Sequence, residues 1–425
     1  MVSIRFFLAS FFFLGLIACN DASKKEVANK PNVNRVHLDS LDLELINKSE
    51  KSIIPGFAVS IIKGDRIVFK KGYGYSDLKN NKPFTENTVQ TIASISKTFI
   101  GLSIMKLVEN GTLNLDEPIN NTLPFKIINP HFPDETITIR HLVTHTSTIN
   151  DEFDDGDKRH SWLIEEVADN KNEFPKYLNE DIFYYDGQEM SLTDYVKEVC
   201  TKNGKWYFKT NFAKQKPGVA YEYSNMGAAI AALIVELKSG MPFYEFTQKN
   251  IFEPLKMKNT TWFYNDLNVN YSKLYVPNDH KAPEMVYEFP RYHEAGYPDG
   301  QLKTSINDLS LYLIEMINGY KGKSILLKKA SFETMFNHQL NISGFDTEND
   351  HKLNDEFGVG VFWAISSPEY RLHKGGMIGV YSLIYFNPKT EMGVIVISNM
   401  ADNSFGEILQ PILKYEEIIG ENTSR

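Results

Sequence analysis

Strand-like runs stand near both ends of this chain and are scarce between them. Residues 56–62 and 66–70 are β-branched and aromatic, joined by Lys63-Gly64-Asp65, a hairpin signature. The pattern returns at 371–373, 380–386 and 393–398, with Asn387-Pro388-Lys389-Thr390 as a turn. A lone hairpin is marginal in water. The two ends are therefore expected to combine into one antiparallel sheet, an α+β arrangement with a mainly helical lobe, about 91–299, inserted between them. Covering helices are expected at each terminus. Leu38, Leu41, Leu43, Leu45 and Ile46 mark the first. Phe405, Ile408, Leu409, Ile412 and Leu413 mark the second, where Ser404 to Glu407 has capping-box spacing and Pro411 should introduce a kink.

Length alone, 425 residues, is compatible with two or three domains or one large fold. A hydrophobic share of 42%, with 28 Phe and 22 Tyr, excludes a wholly disordered chain. Forty-five basic against 54 acidic residues give a net charge of −9, which repels phosphate backbones, so no nucleic-acid partner is expected. Residues 1–18 carry Arg5 and an apolar run, a secretory signal. Leu16-Ile17-Ala18-Cys19 resembles the bacterial lipobox, in which Cys19 would be lipidated; an ordinary signal peptide or anchor helix is the alternative. With Cys19 acylated, Cys200 has no disulfide partner, and the protein is expected in the cell envelope, lipid-anchored to a bacterial membrane. Residues 19–35 read as a flexible tether and 36–421 as the module, its α/β lobe at 36–90 and 300–421. An acidic, aromatic segment at 151–215 reads as a lid over a site or as an insertion with its own small core.

Ser94-Ile95-Ser96-Lys97 has S-x-x-K spacing, which on a helix brings the amine over the hydroxyl. The spacing recurs at Ser60, Ser76 and Ser103, so context must separate the four. Ser60 lies on a period-two run, Ser76 reads as loop, and Ser103 sits deep in a helix, where serine bonds the preceding turn. Ser94 alone enters an apolar helix from an irregular segment, where free N–H groups favour an alkoxide; a plain N-cap is the competing role. Tyr223-Ser224-Asn225 follows a Pro217-Gly218 turn and opens another apolar helix, and a tyrosine near a lysine can relay a proton. In His373-Lys374-Gly375-Gly376 the histidine ends a strand, and the glycines allow close backbone approach. His141 and His145 lack the glutamate of H-E-x-x-H, and nothing calls for a metal or cofactor.

These elements, with Pro55-Gly56-Phe57-Ala58-Val59, Ile139-Arg140-His141-Leu142-Val143-Thr144-His145-Thr146-Ser147 and Ile251-Phe252-Glu253-Pro254-Leu255, make residues 53–400 resemble the serine β-lactamase-related family of class C β-lactamases, DD-peptidases, D-aminopeptidases and esterases. The resemblance implies the two-lobed β-lactamase/transpeptidase-like α/β fold. It implies Ser94 as the acylated nucleophile, Lys97 as its base and Tyr223 as proton shuttle. Asn225 would orient Lys97 and a substrate carbonyl. Ser94 and Gly376 N–H groups would form the oxyanion hole, with Gly375 and His373 on the substrate strand. His373 stands where many members have a lysine, which disfavours potent cephalosporinase activity. For Lys97 to act as a base, burial should depress its pKa. The expected substrate is a D-amino-acid cell-wall peptide; alternatives are an ester, a β-lactam, or a non-catalytic binding or sensor role.

Overall fold

In the computed structural model, the described residues are 33–151, 161–165, 189–264, 267–277, 286–339, 357–366 and 370–423. The signal, Cys19 and nearly all of the tether lie outside them. Helix α1 spans Val33–Lys51, so it begins within the last three residues read as tether.

The main sheet has eight strands: β1 (Gly56–Lys63), β2 (Arg66–Asp77), β3 (Lys82–Pro83), β4 (Phe357–Val359), β5 (Ala364–Ser366), β6 (Tyr370–Met377), β7 (Val380–Asn387) and β8 (Met392–Ser398). Their order is β4-β5-β6-β7-β8-β1-β2-β3, and every pair is antiparallel. The join between the chain ends is β1 on β8, with Phe57 opposite Ser398 and Lys63 opposite Met392. Gly64, at φ +62°, turns the β1–β2 hairpin. Ser76 belongs to β2 rather than a loop; its hydroxyl donates to the Lys82 and Pro83 carbonyls and secures the sheet edge.

Alternation explains why β8 is apolar throughout. Met392, Val394 and Val396 face a cluster containing Leu41 and Leu45 of α1 and Ile408 and Ile412 of α5 (Phe405–Thr423); Ile395 and Ile397 face the opposite cluster, with Leu309 and Leu313 of α4 (Ile306–Tyr320). The sheet is therefore the middle layer of three. Each fully buried aliphatic side chain contributes roughly 1.5–3 kcal/mol. The expected capping box of α5 does not form: Ser404 pairs with Ser52 (3.3 Å) and Glu407 with Lys48 (3.1 Å), tying α5 to α1 instead.

Beyond the sheet lie α2 (Ser96–Glu109) and α3 (Asn225–Ser239), both buried on nearly every face, together with small sheets the sequence reading did not anticipate. One of these pairs Val89–Thr91 with Lys303–Ser305, and leads straight into α2. The described part of 151–215 does not build a core of its own. Tyr195, Val196, Val199, Cys200, Trp206 and Phe212 join the main helical core, because helix Leu192–Cys200 turns one apolar face towards it. Residues 152–160 and the aromatics at 183–185 fall outside the described residues. Cys200 is a buried free thiol.

Strand β6 continues through both glycines to Met377, so His373 lies mid-strand instead of at its end. A Cβ on Gly375 would overlap the Ile92 carbonyl and the Ser382 hydroxyl and sit 3.1 Å from Ala93 Cβ. The sheet thus packs directly on the segment entering α2. Gly376 has room, its nearest neighbour 3.8 Å away. Gly375→Ala should cost about 1–3 kcal/mol in urea unfolding, and Gly376→Ala should be near neutral.

Candidate active site

The segment entering α2 is held on both sides. Ile92 N–H donates to Leu302 O (2.9 Å), and Ser382 Oγ donates to Ile92 O (2.8 Å). Ala93 is forced to φ +46°, a region costly for a residue with a side chain, and a 3₁₀ turn at Ala93–Ile95 follows. Ser94 makes no capping bond, which removes the N-cap role. Its competitors are spent elsewhere: Ser103 donates to Phe99 O (2.8 Å), and Ser60 accepts from Ser310 (2.8 Å).

Ser94 is partly exposed, whereas Lys97, one turn on, is wholly buried. Lys97 Nζ lies 3.1 Å from Ser94 Oγ, 2.6 Å from Asn225 Oδ1 and 2.8 Å from the Asp299 carbonyl oxygen. It also stands 5.1 Å from the Tyr223 ring centroid. Ser94, Lys97, Tyr223 and Asn225, which come from two motifs distant in the chain, thus lie together around one nitrogen. The charge state is a correction. Burial pulls the Lys97 pKa down, but the Tyr223 oxygen and the Asp299 and Asp151 carboxylates outweigh it, and the ammonium is held above its ordinary range instead of depressed.

His373 is buried on β6, its ring centroid 6.4 Å from that of Tyr223. Its Nδ1 is 2.7 Å from Lys374 O; a carbonyl only accepts, so Nδ1 carries the proton and Nε2 of the neutral ring is an acceptor. Burial, then the charge of Lys97, lowers its pKa to about 4, against the Lys374 bond that raises it. His373 is therefore uncharged at neutral pH. β5 pairs only with 370–372, so among the described residues no strand partner covers the far edge of β6 from His373 to Met377, beside Ser94.

Three residues at the site were not recognised from sequence. His145 stacks on Tyr223 (4.4 Å, 28°) and accepts from Ser224 N–H through Nδ1 (3.1 Å). Burial first, then Lys97 and His373, hold it well below the usual range, so it is a neutral prop. Asp151 accepts from Asn225 N–H (2.6 Å), Met226 N–H (3.0 Å) and Ser224 Oγ (3.3 Å), and so fixes the start of α3, where a negative group is favoured. In sequence it reads only as the first residue of the acidic segment. Asp299 is the third; in sequence, Tyr297-Pro298-Asp299-Gly300 looks only like a turn. The phrase containing His145 was visible in sequence, but its stacking partner lies 78 positions on, beyond any local signal. Among the described residues no His/Cys/Asp/Glu group is arranged to hold a metal. His141 instead caps a short helix with Thr138.

Comparisons with known proteins identify the family. The Beta-lactamase family model matches residues 44–413. Protein flp of Staphylococcus aureus (strain MW2) is 26% identical over 85% of this chain, which spans 62% of flp, less than two thirds of its length. Penicillin-binding protein 4* of Bacillus subtilis (strain 168) is 26% identical over 91% of this chain and 76% of its own. The octameric penicillin-binding protein homologue from Pyrococcus abyssi superposes with a TM-score of 0.66 at 24% identity, covering 85% of this chain and 73% of that one. The β-lactamase/transpeptidase-like fold expected from the resemblance is thereby shown, and the chain belongs to the β-lactamase family of serine hydrolases.

Proposed function

We propose that the protein hydrolyses a D-amino-acid-containing peptide, amide or ester through an acyl-enzyme on Ser94. The observation that carries this reading is the convergence of Ser94, Lys97, Asn225 and Tyr223 at one partly exposed hydroxyl beside a strand edge that no strand among the described residues covers. In the proposed cycle Tyr223 reacts as a phenolate beside the Lys97 ammonium: its oxygen takes the Ser94 proton, becoming a neutral phenol, as Oγ bonds the acyl carbon. This moves the base role from Lys97 to Tyr223, because a lysine held protonated has no lone pair to offer. The N–H groups of Ser94 and Gly376 take the oxyanion, and Tyr223 returns the proton to the leaving group. Water repeats the sequence to release the acyl group. Asn225 steadies Lys97 and meets the substrate carbonyl.

Neutral His373, with an acceptor nitrogen, favours a substrate that presents a hydrogen-bond donor over one that presents a carboxylate. Peptides and amides carry such a donor and simple esters lack the carboxylate, which places all three ahead of β-lactams. Relatives named as penicillin-binding proteins support an acyl-accepting site in this chain. Lipidation at Cys19 would tether the enzyme in the envelope: wild type should label with a palmitate analogue and sediment with membranes, and Cys19→Ala should do neither.

Mass spectrometry after treatment with a fluorophosphonate should find the adduct on Ser94. Ser94→Ala should lower hydrolysis of activated D-alanyl esters by at least about 10³-fold, and Tyr223→Phe by about 10²–10⁴-fold. Full activity in Ser94→Ala would refute the assignment and promote a binding or sensor role. His373→Lys should speed labelling by penicillin about tenfold without a matching gain on uncharged esters. Because the folded pKa of His373 is depressed, its stabilising contribution is present above pH 6.5 and is lost as pH falls towards 4. His373→Gln should remove about 3 kcal/mol of that acid-induced loss, read from unfolding at pH 7 and 4.

A further inference from the structure

Asp299 reaches Lys97 twice. Its carbonyl oxygen accepts from Nζ at 2.8 Å, and its carboxylate Oδ1 stands 3.8 Å from the same nitrogen. The side chain is almost wholly enclosed, at 15% exposure. It is also held: the turn Tyr297–Asp299 is anchored by Tyr297 OH, which accepts from Tyr244 N–H at 3.2 Å, and a Cβ on Gly296 would stand 2.8 Å from Asp299 Oδ2 and 3.0 Å from the Tyr195 ring. A carboxylate with no room on the Gly296 side and one oxygen 3.8 Å from the buried amine does more than make a turn.

We propose that Asp299 is a positioning residue that governs the charge of Lys97, and through it the pH range over which Ser94 can be acylated. The inference rests on the acyl-enzyme reading above. Lys97 is surrounded by oxygen acceptors: Ser94 Oγ, Asn225 Oδ1, the Asp299 carbonyl and the Tyr223 oxygen. Only an ammonium supplies three donors to them. The groups that act on it electrostatically are Asp299, Asp151 at the start of α3, and Tyr223 as partners, with His145 and His373 both neutral. Asp299 also feels Glu294 and Asp151; burial, then these charges, lift its carboxyl to about 8 against the pull of Lys97. As pH rises through that value, Asp299 ionises where Lys97 would otherwise begin to lose its proton, and a buried opposite charge at this distance holds the ammonium in place. The main-chain contact cannot do this, since a carbonyl carries no titrating charge.

The test is acylation of Ser94 by a fluorophosphonate across pH 5 to 11, in wild type, Asp299→Asn and Asp299→Glu. Asparagine preserves the carbonyl contact and the volume and removes only the charge. The half-point of the alkaline limb should fall by at least about one pH unit in Asp299→Asn and return most of the way in Asp299→Glu. A half-point unchanged in Asp299→Asn overturns the proposal. Urea unfolding provides a readout independent of turnover. The folded carboxyl keeps a proton that the unfolded chain has released, so wild type should lose stability relative to Asp299→Asn between pH 5 and 8. A difference that stays constant across that range also overturns the proposal. If wild type takes no label at all, the acyl-enzyme reading fails, while the unfolding comparison still decides whether Asp299 and Lys97 titrate together.

Discussion

A lysine with no exposed surface must find acceptors for its donors or lose its charge, and the catalytic half of this molecule is arranged around that requirement. Lys97 rises from α2, receives Asn225 from the start of α3 and the Asp299 carbonyl from a 3₁₀ turn, and turns its remaining side to Ser94. Three segments far apart in the chain are thereby fixed to one nitrogen. Leaving any acceptor unpaired in such a site would cost several times what an exposed pair contributes.

The same economy governs the layers behind the site. Asp151 spends both oxygens on the first N–H groups of α3 and on Ser224, while His145 stacks on Tyr223 with a neutral ring. Both residues touch the motif through its backbone or its ring, and both come from the connection that follows Ile139–Val143. Left-handed conformations at Ala93, His145 and Thr148 cluster here as well. Such strain persists only where surrounding packing over-determines the backbone, as the sheet contact at Gly375 does for Ala93.

Hydrophobic alternation made the main sheet legible. Residues such as Val394 and Ile395 point to opposite faces, and a strand apolar on both needs a helix layer on each side, which the terminal amphipathic segments foretold. The capping box at Ser404 was misread because a local spacing cannot reveal that Ser52 and Lys48 compete for the same side chains. The acidic segment was misread for a similar reason: composition registered the charge of Asp151 but not its partner 74 positions away.

The linear chain by itself marked the family and the serine proposed as nucleophile, with the lysine one helical turn beyond it, the tyrosine motif and the histidine before paired glycines, because those signals depend on residue type at short spacing. Only the tertiary structure decided the charge on Lys97, the neutrality of His373 and the presence of Asp299 beside them. Ionisation depends on burial and on every charge nearby in space, and neither quantity is carried by neighbours in sequence.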